Sequence, residues 1–246
     1  MQLQTGTVYG PLNSMRFGHM LGVNLAPSGH KACNFDCTYC QYGPSEARQE
    51  GEFPEPARVI EAVDEALQQH SDVDTIVVAG TGEPTLHPAF ARIADGLWAL
   101  RGQRAPHAKL ALVSNGSTLN RLDVVYSLSR FDLRCMKLDA GDATTFRVIN
   151  APSVPLGRLI ADLRFVGGLT VQSRFVRDAA RGIDNTTPRA VDAWLEAIER
   201  VRPEAVEISA LSASPRGGAL QPVPPAVLDA IAARVRGLGV EARVLG

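Results

Sequence analysis

The sequence predicts an α/β fold in which six β-then-α units curve into a partial, open barrel. Three observations predict it. Apolar strand-like runs alternate with helix-like segments along the 246 residues, the pattern of a parallel sheet covered by helices. Several helical segments open on proline, whose missing N–H costs little in a first turn. The later strands carry apolar residues on one face and polar residues on the other, so one face packs under helices and the other turns inward. Six units are too few for a closed eight-stranded barrel.

The elements follow in order. The first strand is expected over residues 21–25; a cysteine-bearing loop leads from it to a helix over 56–69, opened by Pro56. A strand over 75–79 precedes a helix over 88–100 that starts at Pro88, and a strand over 110–114 precedes a helix over 121–129. The strand over 133–139 sets Met136 and Leu138 against Cys135, Lys137 and Asp139, and a helix over 156–166 follows. In the strand over 169–176, Val171 and Phe175 oppose Thr170, Gln172 and Arg174, ahead of a helix over 188–201. In the strand over 205–211, Val206 and Ile208 oppose Glu207 and Ser209, ahead of a helix over 224–235. Residues 241–245 suit a last edge strand. A barrel interior is ordinarily packed with branched apolar side chains, so polar inner faces imply a cavity for a polar ligand.

Composition narrows the function. The hydrophobic share is 45%, the charged share 21% and the net charge -1. These are ordinary for a soluble globular protein, and no global field favours nucleic acid or an anionic membrane. The first residues lack the basic-then-apolar pattern of a signal peptide, and no apolar run approaches the ~20 residues of a membrane span. A cytoplasmic location is expected. The chain is read as one domain over 1–246, with 1–18 an N-terminal extension packing on a partial barrel over 19–246. Asn115-Gly116-Ser117 and Asn185-Thr186-Thr187 match glycosylation sequons but read as turn and helix-start chemistry.

Three of the four cysteines lie in one run, Cys33-Asn34-Phe35-Asp36-Cys37-Thr38-Tyr39-Cys40. Thiolates are soft anionic ligands, and this spacing lets three sulfurs converge from one loop. The loop follows the first strand, at the sheet end where α/β folds place active sites. Spacing alone leaves two readings open. Three cysteines could hold an iron–sulfur cluster with one iron free for another ligand. Alternatively His30 could join Cys33, Cys37 and Cys40 in a closed structural zinc site of a non-catalytic binding module.

The second motif is Ala79-Gly80-Thr81-Gly82-Glu83-Pro84-Thr85-Leu86-His87-Pro88, directly after the second strand. Its glycines let backbone groups approach a ligand closely, and Glu83 puts a carboxylate at the mouth of the sheet. It is neither a dinucleotide fingerprint nor a phosphate loop. A carboxylate beside glycines suits a cationic amine; a plain strand-to-helix turn is the simpler reading.

Together the two loops resemble the radical S-adenosylmethionine (radical SAM) superfamily, over nearly the whole chain. The resemblance implies the (βα)6 partial barrel, and a 4Fe–4S cluster held by Cys33, Cys37 and Cys40 with S-adenosylmethionine on the open iron. It implies that Gly80, Thr81, Gly82 and Glu83 bind the cofactor's amine, that Tyr39 packs near its adenine, and that Asn115 and Asp139 meet its ribose or carboxylate. The implied reaction is reductive cleavage to methionine and a 5′-deoxyadenosyl radical, which abstracts hydrogen from a polar or anionic substrate. The implied electron donor is a small protein such as a flavodoxin or ferredoxin.

A narrower likeness joins Tyr9-Gly10-Pro11, Ser14, Arg16-Phe17-Gly18, Leu21-Gly22-Val23, the Gly82–Pro88 run, Ser114-Asn115-Gly116, Leu138-Asp139-Ala140 and Phe146-Arg147-x-x-Asn150. These resemble the subgroup that includes wyosine-base synthases acting on tRNA. Asn13 and Met15 depart from that pattern. The tRNA enzymes carry a second cysteine set, whereas only Cys135 is left here, which points to a small-molecule substrate ahead of tRNA. On the inner faces, Lys137, Gln172 and Arg174 are candidates to meet the substrate. Cys135 is either a hydrogen-atom donor or a packed core thiol.

Overall fold

The computed structural model of the chain describes residues 6–44, 52–178, 181–211 and 220–245. Its strands and helices run β1 (Val8–Ser14), β2 (Gly18–Val23), α1 (Pro56–Gln69), β3 (Thr75–Val78), α2 (Phe90–Arg104), β4 (Lys109–Ser114), α3 (Leu122–Ser127), β5 (Leu133–Lys137), α4 (Ala143–Asn150) and α5 (Leu156–Leu163). They continue β6 (Leu169–Phe175), β7 (Arg177–Asp178), β8 (Ile183–Asp184), α6 (Pro188–Val201), β9 (Ala205–Ala210), α7 (Pro225–Gly237) and β10 (Glu241–Leu245). One eight-stranded sheet has the order β1-β2-β3-β4-β5-β6-β9-β10. Every pairing in it is parallel except β1 with β2. The six predicted βα units are therefore the body of an open sheet, with β1 and β10 at its two edges.

Helix α6 shows how sequence makes an outer layer. Thr187 caps it by accepting the Ala190 N–H, and Pro188 occupies the first turn. Val191, Trp194, Leu195, Ile198 and Val201 then fall on one buried stripe. Each such side chain contributes about 1.5–3 kcal/mol on leaving water. The stripe meets Val171, Phe175, Val206 and Ile208 in the main core. The Trp194 indole N–H donates to the Leu138 carbonyl at 2.9 Å, which fixes α6 against the end of β5.

The inner side has two levels. Its floor is apolar: Phe17, Met20, Val77, Ala111 and Cys135 form a separate buried cluster under the rim. Polar groups gather at the upper part of β5, β6 and β9. There the register aligns Lys137 with Gln172 and Gln172 with Glu207 across three strands. Cys135, one pleat deeper on β5, pairs with Thr170 in the same register.

Four elements have no counterpart in the sequence reading: β1, α4 and the short pair β7 and β8. β1 carries Gly10-Pro11, which argues against a strand, yet an edge strand tolerates proline, and its pairing with β2 is irregular between Tyr9 and Leu12. Tyr9 lies flat on Gly22, where a Cβ would come within 2.1 Å of the ring. α4 is rich in β-branched residues, which lowers its intrinsic propensity. It is started by Asp142, whose carboxylate accepts the N–H groups of Thr144 and Thr145.

Candidate functional site

The cysteine run lies between β2 and α1 and is pinned from two sides. On one side, the end of α4 supplies acceptors: the Asn150 carbonyl takes the Asp36 N–H at 2.9 Å and the Ile149 carbonyl takes the Thr38 N–H at 2.8 Å. Phe146, one turn earlier, meets Phe35 edge-on at 5.6 Å between ring centroids. On the other side, Ala32 pairs with the glycine turn. Its N–H donates to the Thr81 carbonyl at 3.1 Å, and its carbonyl accepts from the Glu83 N–H at 2.7 Å. Gly82 makes this possible. Its φ is +146°, and a Cβ there would stand 1.9 Å from the Ala32 oxygen. The close approach that the glycine permits is thus to the chain's own cysteine loop. The Lys31 ammonium closes the run, donating to the Gly43 carbonyl at 2.7 Å and to Asp36 at 3.2 Å.

Glu83 is buried and saturated with donors. It accepts from the Thr85 N–H at 3.1 Å and hydroxyl at 2.6 Å, from the Ser114 hydroxyl at 2.8 Å and from the Asn115 N–H at 2.5 Å. Burial pushes its pKa up, against the pull of those donors. The carboxylate therefore fastens the glycine turn to the end of β4 while its edge faces the cavity. His87, from the same motif, lies away from the site. Its Nε2–H donates to the Pro54 carbonyl at 2.9 Å and its Nδ1 accepts the Ala89 N–H at 3.0 Å, which fixes a neutral imidazole.

These pieces surround one cavity of about 520 Å³, within the usual size of a small-molecule site. Cys33, Cys37, Cys40, Tyr39, Gly80, Gly82, Glu83, Asn115, Lys137, Gln172 and Arg174 all line it. Of the predicted site residues, Thr81, Asp139 and Cys135 stand behind the lining. Thr81 is fully buried and acts through its backbone, its N–H donating to Asn24 Oδ1 at 3.0 Å. Asp139 is 1% exposed. It accepts from the Tyr39 hydroxyl, from Asn150 Nδ2 at 2.6 Å and from the Arg174 N–H at 2.7 Å, with Lys137 Nζ 3.6 Å away. It aims the tyrosine into the cavity from behind. Cys135 belongs to the apolar floor, and burial pushes its pKa up to about 12. A protonated thiol in the floor is the packed-core reading of that residue.

All four cysteines are free. Burial raises the thiol pKa of Cys33 to about 12 and also raises that of Cys37. Such thiols become ligands when a bound metal centre supplies positive charge. Amide donors already face two of the sulfurs: Asn150 Nδ2 is 3.3 Å from Cys37 Sγ and Asn115 Nδ2 is 3.9 Å from Cys33 Sγ. Among the described residues, no three His, Cys, Asp or Glu side chains are gathered as ligands of one metal ion, and His30 is not part of the cavity lining. Three thiols lining one cavity are the soft donor set that an iron–sulfur cluster takes.

Sequence reasoning gave no role to Arg16, Asn34 or Asn150. Arg16 lines the cavity from the β1–β2 turn, and Asn34 Oδ1 accepts from Asn115 Nδ2 at 2.9 Å. Arg16 and Asn150 did stand in the residues of the narrower likeness, so a signal existed without a contact to explain it.

Residues 29–147 match the family model of the Radical SAM superfamily. The UPF0026 protein slr1464 of Synechocystis sp. is 31% identical over 213 residues, which cover 82% of this chain and 74% of that protein. The chain belongs to the radical SAM superfamily, among its UPF0026 proteins. A radical SAM fold is also what the solved structures share. TYW1 with a lysine-pyruvate adduct bound superposes with a TM-score of 0.65 at 14% identity, over 90% of this chain and 75% of that one. A UPF0026 protein of Helicobacter pylori is 34% identical over 149 residues, 59% of this chain and 46% of that protein. The chain spans less than half the length of the first curated relatives it matches. The cofactors of the radical SAM superfamily are a 4Fe–4S cluster and S-adenosylmethionine, and the thiols, glycine turn and buried carboxylate around this cavity fit both. No helix among the described residues is long and apolar enough to cross a membrane.

Proposed function

We propose that the chain is a radical SAM enzyme acting on a small anionic substrate. Cys33, Cys37 and Cys40 would hold the cluster, and Gly80, Gly82, Glu83 and Asn115 the amino-acid part of S-adenosylmethionine. The single observation that carries this reading is that one cavity brings all these residues together with a cationic wall of Lys137 and Arg174. When bound, the two cofactors supply a radical that abstracts hydrogen from substrate, after one electron arrives from a donor such as a flavodoxin or ferredoxin. The protein's part is orientation and exclusion of water. Tyr39, held by Asp139, offers a flat wall, with Lys137 Nζ at 5.0 Å and Arg174 Cζ at 5.2 Å from its ring centroid. Gln172 adds a neutral donor and acceptor beside them.

Anaerobic reconstitution with iron and sulfide, followed by dithionite and S-adenosylmethionine, tests the proposal. Equal amounts of methionine and 5′-deoxyadenosine are expected, and none from Cys37→Ala. A colourless wild-type protein holding one zinc would overturn it. The likeness to TYW1 supports a tRNA-modifying reading by fold alone. Retardation of tRNA at low salt, where phosphate contacts are strongest, would favour that reading over a small substrate.

A further inference from the structure

Arg16 is not explained by either cofactor. It leaves the β1–β2 turn and reaches the cavity wall, with Nε 2.8 Å from Glu207 Oε2 on β9. The angle there makes no hydrogen bond, and this buried Nε has no hydrogen-bond partner among the described residues. Arg174 approaches from β6. Its backbone N–H and carbonyl are used by Asp139 and Asn185, while its guanidinium rests over Tyr39. Burial lowers the pKa of Arg16; the Glu207 carboxylate opposes that shift and the Arg174 charge adds to it.

The charged side chains that line the wall are mostly cations. Four cations line it, Arg16, Lys31, Lys137 and Arg174, against the carboxylate of Glu83. Lys31 pairs with Asp36, Lys137 with Asp139 and Arg16 with Glu207. Among the described residues Arg174 has no carboxylate within ion-pair distance. Two guanidinium groups that line one cavity, one of them without a carboxylate at ion-pair distance among the described residues, make a site that an anion between them would satisfy. We propose that Arg16 and Arg174 form a two-guanidinium clamp for an oxyanion of the substrate, a carboxylate or a phosphate. The inference rests on the cavity being the substrate chamber of the enzyme proposed above.

The test uses the reconstituted protein with saturating S-adenosylmethionine, titrated with malonate or with inorganic phosphate at constant ionic strength, chloride being the control. The unfolding midpoint is read at each concentration. A saturable rise beyond chloride is expected. Apparent affinity should weaken about tenfold or more in Arg174→Gln and in Arg16→Gln, with part retained in Arg174→Lys and Arg16→Lys. A response to malonate alone assigns a carboxylate, to phosphate alone a phosphate, and to both the shared oxyanion chemistry. The inference is overturned if neither anion acts beyond chloride, or if both glutamine variants respond like wild type. It is also overturned if S-adenosylmethionine affinity falls in step with anion affinity, because the clamp would then hold the cofactor's own carboxylate. Iron content is measured on every sample. Failure of the wild type to take up iron would instead sink the enzyme proposal, a separate result. The lysine variants keep the charge opposite Glu207, so loss of fold in a glutamine variant does not remove the test.

Discussion

Asn150 shows how one side chain can connect distant parts of a site. It is completely buried, and its amide nitrogen is 3.3 Å from Cys37 Sγ and 2.6 Å from Asp139 Oδ2. Asp139 in turn holds the Tyr39 hydroxyl, so a thiol, a carboxylate and a phenol share one neighbour. If Cys37 ligates the cluster, the Asn150 N–H donates toward a cluster sulfur. Such a bond favours the more negative, reduced state and raises the potential. Asn150→Ala should therefore lower the midpoint potential. A bond worth about 1 kcal/mol corresponds to about 40 mV for a one-electron couple. A redox titration followed by electron paramagnetic resonance measures this. An unchanged potential with full iron content would confine Asn150 to holding Asp139.

At the scale of elements, the decisive contact is between two loops. The Ala32–Gly82 pairing makes the cysteine run and the glycine turn one short ladder beyond the ends of β2 and β3. Gly82→Ala would put a methyl group 1.9 Å from the Ala32 oxygen, in a backbone conformation L residues rarely adopt. Strain of this kind costs about 1–3 kcal/mol before any clash is counted. The ladder should open, with lower iron retention after desalting and weaker S-adenosylmethionine binding, while the far-UV circular dichroism of the helices stays close to wild type. This contact also marks how far the sequence could be read. α1 and α6 begin and end at the predicted residues because each has a proline start and a clean apolar stripe. The cysteine spacing and the Gly-Thr-Gly-Glu turn were legible because their residues are adjacent in the chain. Helix α4 was not legible, since its β-branched residues hide a helix that is held by its Asp142 cap and by packing on Phe35. Arg16, Asn34 and Asn150 act across large sequence separations, and no local pattern announces such contacts.

At the scale of the whole molecule, the cavity is a seam closed by parts far apart in sequence. The β1–β2 turn gives Arg16, the cysteine run one wall, the loop after β4 Asn115, β5 Lys137, and β6 Gln172 and Arg174. A ligand that touches all of these binds the folded chain and not the unfolded one, so its binding energy adds to stability. At a concentration about 100 times the dissociation constant, S-adenosylmethionine should add about 2.7 kcal/mol. For a chain of this size that raises the melting midpoint by about 5–10 °C. The gain should depend on the cluster, because in the proposed binding mode the glycine turn and Glu83 would meet the amino-acid part of the cofactor and an open iron would supply the rest. Thermal unfolding under anaerobic conditions, with and without S-adenosylmethionine, should show the full shift in reconstituted wild type and little of it in iron-free Cys33→Ala. An equal shift in both proteins would mean that the protein walls alone hold the cofactor, and that the open coordination position of the three-cysteine loop serves something else.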